Sequence, residues 1–377
     1  MEESLHMDHW WQKDISGCGL SGIINWDGKR ISGDVIRKSV ALMHDRGNGQ
    51  GGGFAAYGIY PEHKDHYALH IMFTEEPGKP TRDFDEAMKE TEAYLDKALA
   101  VDLAEDIPVK VTEKIPSHPL LRRYFVKVKQ GSLKGTHMTE DDYIVGAVMH
   151  INDKIDNAFV FSSGRNMGAF KGVGFPEDIA DFFMIENYEG HTWTAHNRFP
   201  TNTQGWWGGA HPFTLLDWSI VHNGEISSYG INKRYLEMFG YKLALLTDTE
   251  VVTYMFDLLV RRQGLPISVA CMAVAAPFWK DIDRMEEPER EACEAIRMVY
   301  GPALLNGPFA ILFGHGKGLI GMNDRIKLRP FVAATKGKTV YMASEESAIR
   351  EICPDPKEVW APRAGQPVAV EMGKGII

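Results

Sequence analysis

Arg198 and the pair Asn223-Gly224 carry polar groups that a packed core rejects unless each finds a partner, and they fall within one stretch of chain, His191 to Ile226, which is where the pattern puts the active site. Arg198 ends an apolar and β-branched run. Thr201, Asn202 and Thr203 follow it, and then a loop rich in Gly and Trp, so the pattern predicts a strand feeding a lid from Gln204 to His211. Trp218-Ser219-Ile220-Val221 reads as a second short strand ending in His222-Asn223-Gly224-Glu225. An Asn-Gly at a strand end supplies a turn with positive φ and sets a backbone N–H beside a side-chain amide. Two donors aimed at one point suit an oxyanion. An ordinary Asn-Gly hairpin turn is the plainer alternative, but it leaves Arg198 and the lid unexplained.

Thr247-Asp248-Thr249-Glu250 opens a helix through Val251, Val252, Tyr254, Met255, Leu258 and Leu259, with Asp248 expected as its N-cap. A carboxylate at a helix N-terminus is also held ionised and oriented, which suits it to an ammonium group. Arg198 offers the complementary fork for a planar carboxylate. The remaining question is a nucleophile. Cys18 opens the run Cys18–Ile24, a buried strand in which residue type alone makes the cysteine a core residue. Cys18, Cys271, Cys293 and Cys353 lie far apart with no C-x-x-C spacing, so neither zinc nor an iron–sulfur cluster is expected and the metal set is empty.

Composition narrows the partners. At 377 residues and 44% hydrophobic the chain can bury a large core, and a net charge of −10 without a basic block argues against nucleic acid or an anionic membrane. No apolar run spans a bilayer, since Leu265 to Trp279 is too short. The start MEESLHMDHWWQKDISG lacks the basic end and apolar centre of a signal peptide, so a cytoplasmic location is expected.

Ser32 or Asp34 caps a helix through Val35, Ile36, Val40, Ala41 and Met43. Gly47 to Gly53 contains G-x-G-x-x-G, but it follows a helix and precedes a strand, the reverse of a dinucleotide site, so its glycines are expected to permit close backbone approach instead. Tyr67 to Phe73 reads as a strand, and His63, His66 and His70 do not share a face there, which argues against a metal. Residues 74–143 read as a charged insertion decorating the main sheet, with a helix near Asp83 to Leu99 and strands near Pro108 to Glu113 and Tyr124 to Lys129. Gly146 to Ile151 and Ala158 to Ser163 read as further strands, and four late apolar runs, from Phe309 to Ala343, as one antiparallel meander. Stacked sheets with helices outside, in one domain, fit this order.

Taken together, Cys18 to Ile24, Arg46-Gly47, His196 to Thr203, His222 to Ile226, Thr247 to Glu250, Asn323-Asp324-Arg325 and Ala343 to Glu346 resemble the class II glutamine amidotransferase domain, an N-terminal-nucleophile hydrolase. Within that family they most resemble the stand-alone amidotransferase subunit of archaeal-type glutamate synthase. The resemblance implies an α+β fold, a four-layer αββα sandwich with antiparallel sheets. It implies Cys18 as nucleophile, Asn223 and Gly224 as oxyanion hole, Arg198 for the α-carboxylate and Asp248 for the α-amino group of L-glutamine. Thr201 and Asn202 would help hold the substrate as the lid closes. Because Cys18 is internal, Met1 to Gly17 would be a propeptide, leaving residues 18–377 as the amidotransferase domain. No cofactor is expected in this chain; FMN and iron–sulfur clusters would sit on partner synthase subunits. Two alternatives are the related subunit of N-methylglutamate synthase, acting on a γ-glutamyl amide of methylamine, and a non-catalytic regulatory subunit that never exposes Cys18.

Overall fold

The computed structural model describes residues 17–200 and 205–377. Two antiparallel sheets stack face to face. The front sheet has seven strands, in the order Glu358–Trp360, Val332–Lys336, Thr339–Ala343, Gly19–Asn25, Thr192–Asn197, Gly52–Tyr57 and Met167–Gly172. The back sheet has six, in the order Phe213–Leu215, Trp218–Gly224, Phe309–His315, Gly318–Asn323, Val368–Glu371 and Gly375–Ile376.

Period-two alternation builds the layers. In Gly19–Asn25, Leu20 and Ile24 join Val221, Leu312, Leu319 and Val340 in a core between the sheets. Ile23 instead packs outward with Ile36 and Val40 of the helix Gly33–Ala41, with Ile179 and Phe183 of Pro176–Phe183, and with Ile349 of Glu346–Ile352. Behind the back sheet, Ile220, Ile311 and Phe313 pack on Val252 and Met255 of Asp248–Phe256 and on Cys271 of Ile267–Val274. The result is the four-layer αββα, α+β architecture. A one-residue register slip would turn every inter-sheet side chain outward, and each buried Leu, Ile or Val contributes roughly 1.5–3 kcal/mol, so register is strongly fixed.

Residues 74–143 do not extend either main sheet. With Tyr67–Phe73 and Ala158–Ser162 they form a separate four-stranded sheet, ordered Leu99–Asp106, Leu120–Val128, Tyr67–Phe73, Ala158–Ser162. Both faces of Tyr67–Phe73 are covered: Leu69, Ile71 and Phe73 enter the back-sheet core, Ala68 and Met72 the front-sheet one. The helix Phe84–Ala98 lies where expected. The strand expected at Pro108 to Glu113 instead occupies Leu99–Asp106, with no loop between helix and strand. Gly146 to Ile151 is not a strand but part of the helix Glu140–Lys154, which a capping box of Thr139 and Asp142 starts within a run that reads as merely charged. The late strands are not one meander either, because the chain leaves the back sheet after Asn323 and joins the front sheet at Val332. No described helix is long and apolar enough to cross a membrane.

Candidate active site

Parity along three strands decides which polar groups meet. Continuing the alternation of Gly19–Asn25, Cys18 falls on the inter-sheet side with Leu20. In Thr192–Asn197, Trp193 and Ala195 face the outer helices, and Asn197 Nδ2 donates to the carbonyls of Met43 and His44 at 2.8 and 3.0 Å. Arg198 therefore falls on the inter-sheet side. The two strands pair with Gly19 opposite Asn197, which carries Cys18 next to Arg198. From the back sheet, Asn223 shares the parity of Val221, while His222 faces the helix Asp248–Phe256.

Cys18, Arg198, Gly224 and Asp248 line one cavity of about 200 Å³, with Tyr229, His211 and His222 among its other walls. Thus the structure brings together four of the residues singled out from sequence. Asn223 is not among the cavity walls but adjoins Gly224, and a Cβ built on Gly17 would be 3.8 Å from its Oδ1. Thr201 and Asn202 lie outside the described residues.

Each group is held by contacts whose cause is visible. Cys18 Sγ accepts the Phe199 N–H at 3.3 Å and lies 3.8 Å from the Phe199 carbonyl oxygen, and neither contact is a base. Burial pushes the thiol pKa up; the Phe199 N–H and Arg198 pull it back only in part. The thiol is therefore protonated near neutral pH and needs a base to act. Arg198 Nη1 donates to the Gln50 carbonyl at 3.2 Å, and its stem passes over Gly51, where a Cβ would lie 2.8 Å from Arg198 Cδ. That close approach is what the Gly47 to Gly53 run permits. Gly224 has φ +154°, and a Cβ there would sit 1.9 Å from the Pro308 oxygen, so no side chain fits. Asn223 Nδ2 is buried with no partner among the described residues, a donor awaiting an acceptor.

Asp248 is not the N-cap. Thr247 caps, its hydroxyl accepting from Glu250 N at 3.2 Å, and Asp248 is the first helical residue. This frees its carboxylate for the cavity. Oδ2 accepts the Ile226 N–H at 3.1 Å and Oδ1 the Thr249 hydroxyl at 3.3 Å, with His222 Nδ1 at 3.7 Å. Burial opposes ionisation, yet His222 and these two donors outweigh it and hold the carboxyl below its usual pKa. The site is thus a thiol flanked by a cation on one side, an anion on the other and an unspent amide donor below, an arrangement that can grip a zwitterion and stabilise developing negative charge.

Four contributing residues carried no role in the sequence reading. Arg46 Nε donates to the Cys18 carbonyl at 3.1 Å while its Nη1 pairs with Glu345 at 2.8 Å, clamping the strand start. His211, His222 and Thr249 meet below the cavity. The signal for His222 was its parity, opposite to Asn223 and toward the helix that starts at Asp248.

A family model described as class-II glutamine amidotransferases matches residues 54–367, a span that includes Arg198, Asn223, Gly224 and Asp248 and begins after Cys18. An uncharacterised protein of Archaeoglobus fulgidus is 54% identical over 359 residues, 94% of this chain and 92% of that protein. The glutamate synthase (NADPH) large chain of Bacillus subtilis is 26% identical over 271 residues, 64% of this chain and 17% of that one. Among solved structures, a glutamine phosphoribosylpyrophosphate amidotransferase from B. subtilis, complexed with ADP and GMP, superposes at TM-score 0.47 and 14% identity over 96% of this chain and 48% of that one.

Proposed function

Because the chain belongs to the class II glutamine amidotransferases, we propose that it hydrolyses the side-chain amide of L-glutamine at Cys18 and delivers the ammonia to the synthase subunits of a glutamate synthase-like complex. The observation that carries the reading is that Cys18, Arg198, Gly224 and Asp248 line the same small cavity. Arg198 takes the α-carboxylate through its planar fork and Asp248 takes the α-ammonium. Thr201 and Asn202 close over the substrate with the lid.

The chemistry needs a base that, among the described residues, no side chain touching the thiol supplies. Removal of residues 1–17 frees the α-amine of Cys18, whose reference pKa near 7.7–8.0 leaves it partly neutral at cellular pH. That amine accepts the thiol proton and the sulfur attacks the carboxamide carbon. Negative charge gathers on the amide oxygen, against the Asn223 side chain and the Gly224 N–H, each contributing about 3 kcal/mol. The tetrahedral adduct collapses with its C–N bond breaking, and the amine returns the proton to the leaving ammonia. Water then attacks the thioester, giving glutamate and the free thiol. Gly17 borders the site: a Cβ there would lie 3.6 Å from Arg46 Nη2 and 3.8 Å from Asn223 Oδ1, so the bond before Cys18 lies beside the same groups as the thiol.

Likeness to the B. subtilis glutamate synthase large chain supports the choice of partner. That partner would carry FMN and iron–sulfur clusters and reduce the imine formed from the ammonia and a 2-oxo acid. The test is N-terminal sequencing of the purified, active protein alongside a glutaminase assay with and without the synthase subunits. A mature start at Cys18 and turnover that rises with the partner are expected. An active protein beginning at Met1 would remove the amine-base mechanism, and turnover indifferent to any synthase subunit would remove the partner.

A further inference from the structure

Below the cavity a single hydroxyl has three neighbours. Thr249 Oγ1, fully buried, lies 3.3 Å from Asp248 Oδ1, 3.1 Å from His222 Nδ1 and 2.9 Å from His211 Nε2. A hydroxyl has one proton to give and two lone pairs to offer. An ionised carboxylate can only accept, so the Thr249 proton goes to Asp248. Both imidazoles must then donate to Oγ1. His196 completes the set: its ring stacks on His211 at 4.0 Å and its Nε2 lies 2.9 Å from the His222 carbonyl, which accepts.

The remaining ring nitrogens are consistent with this assignment. A neutral imidazole has one N–H, so His196 and His211 should each be left with one bare nitrogen. Among the described residues, His196 Nδ1 and His211 Nδ1 are buried without a partner, as this requires, and so is His222 Nε2. Burial holds His196 and His211 neutral, well below the usual imidazole range. With one proton given to Asp248 and two accepted, the Thr249 hydroxyl is saturated.

The three neighbours belong to different parts of the site. Asp248 lines the cavity, His222 precedes Asn223, and His211 follows Gly208, whose carbonyl accepts from Lys171 Nζ at 2.9 Å. We propose that Thr249 is a positioning residue that sets the Asp248 carboxylate for the substrate α-ammonium and braces it against His211 and His222. It makes the enzyme selective for an α-amino acid over a plain amide. The inference rests on Asp248 binding that ammonium, as proposed above.

The test compares L-glutamine with glutaramate, the same molecule without its α-amino group, on the mature full chain with its partner subunits. In Thr249→Val, which keeps the shape and removes the hydroxyl, kcat/KM for glutamine should fall about tenfold or more, chiefly through KM, while glutaramate turnover changes less than about threefold. Thr249→Ser should restore glutamine selectivity. Equal losses on both substrates would show a merely structural role and overturn the inference, as would undiminished glutamine turnover in Thr249→Val. Should Thr249→Val fail to fold, Thr249→Ala removes the same hydroxyl with a smaller side chain and must show the same selective loss. A wild-type protein without glutaminase activity would instead sink the proposed function and this inference with it.

Discussion

Asn223 is 2% exposed, and its Nδ2 has no hydrogen-bond partner among the described residues. A buried donor left unpaired costs about 1–3 kcal/mol of stability. The proposed oxyanion would be the partner it lacks. Asn223→Ala therefore has two consequences that pull apart. Removing the donor lowers kcat for glutamine by about 10²–10³, the effect of losing one oxyanion donor. Stability moves by less than about 1 kcal/mol, because relief of the unpaired amide offsets the small loss of packing, so the melting temperature stays within about 4 °C. Steady-state glutaminase assays and calorimetry on the mature protein measure both. A variant that kept kcat within about threefold would refute the oxyanion role. A variant that lost more than about 3 kcal/mol would show that the amide is already satisfied in the free protein, and the reasoning from its unspent donor would fail.

Arg198→Lys keeps the charge and loses the planar fork, so kcat/KM for glutamine should drop about 10–100-fold, mostly through KM; an unchanged KM in initial-rate assays would remove Arg198 from carboxylate recognition. Burial lowers the pKa of His70 and His196 to about 3 and of His315 to about 4. Each binds its proton more weakly folded than unfolded, so stability is full above the unfolded value near 6.5 and falls as pH drops toward these values. Glu250, raised to about 7 by burial, works the other way and offsets one of them. Urea midpoints should therefore fall between pH 7 and pH 5, by roughly 1.4 kcal/mol per pH unit for each proton not offset, and a flat profile would contradict the assignment of neutral buried histidines.

The parts of this architecture legible in sequence are those with a strict period. Leu20, Ile23 and Ile24 announce a strand buried on both faces, and the apolar run before Arg198 announces the strand that delivers it. What escaped had either a borrowed signal or none. Gly146 to Ile151 is apolar enough to pass for a strand, and only the capping box upstream, hidden among Glu140, Asp141 and Asp142, marks the helix. Thr247 with Glu250 three residues on is the stronger cap, but Asp248 is also a good capping type, and local spacing could not rank them. The switch of the late strands from back to front sheet has no local signal, because each hairpin is locally complete and only the pairing of Thr339–Ala343 with Gly19–Asn25 assigns it. The convergence of His211, His222 and Thr249 is likewise a property of three elements meeting, invisible to any one of them.

The cavity also fixes how long its ligand must be. Cys18 and Arg198 come from the front sheet, Gly224 from the back sheet and Asp248 from the helix behind it, and stacked sheets stand about 10 Å apart. A substrate gripped at its α-carbon by Arg198 and Asp248 reaches Cys18 only through its side chain, so the reach is set by the packing of Leu20, Ile24, Val221 and Leu312 between the sheets, which does not yield. Asparagine carries the same head group and the same amide on a side chain one methylene shorter. It can satisfy the two charges or present its amide to the thiol beside Gly224, not both. One methylene in a tight pocket is worth about 1–3 kcal/mol, and a missed attack geometry costs about 10²-fold more. Asparagine should therefore inhibit weakly while turning over at least about 10³ times more slowly than glutamine. Asparagine hydrolysed within about tenfold of glutamine would mean that the head group is not anchored at Arg198 and Asp248 when Cys18 attacks.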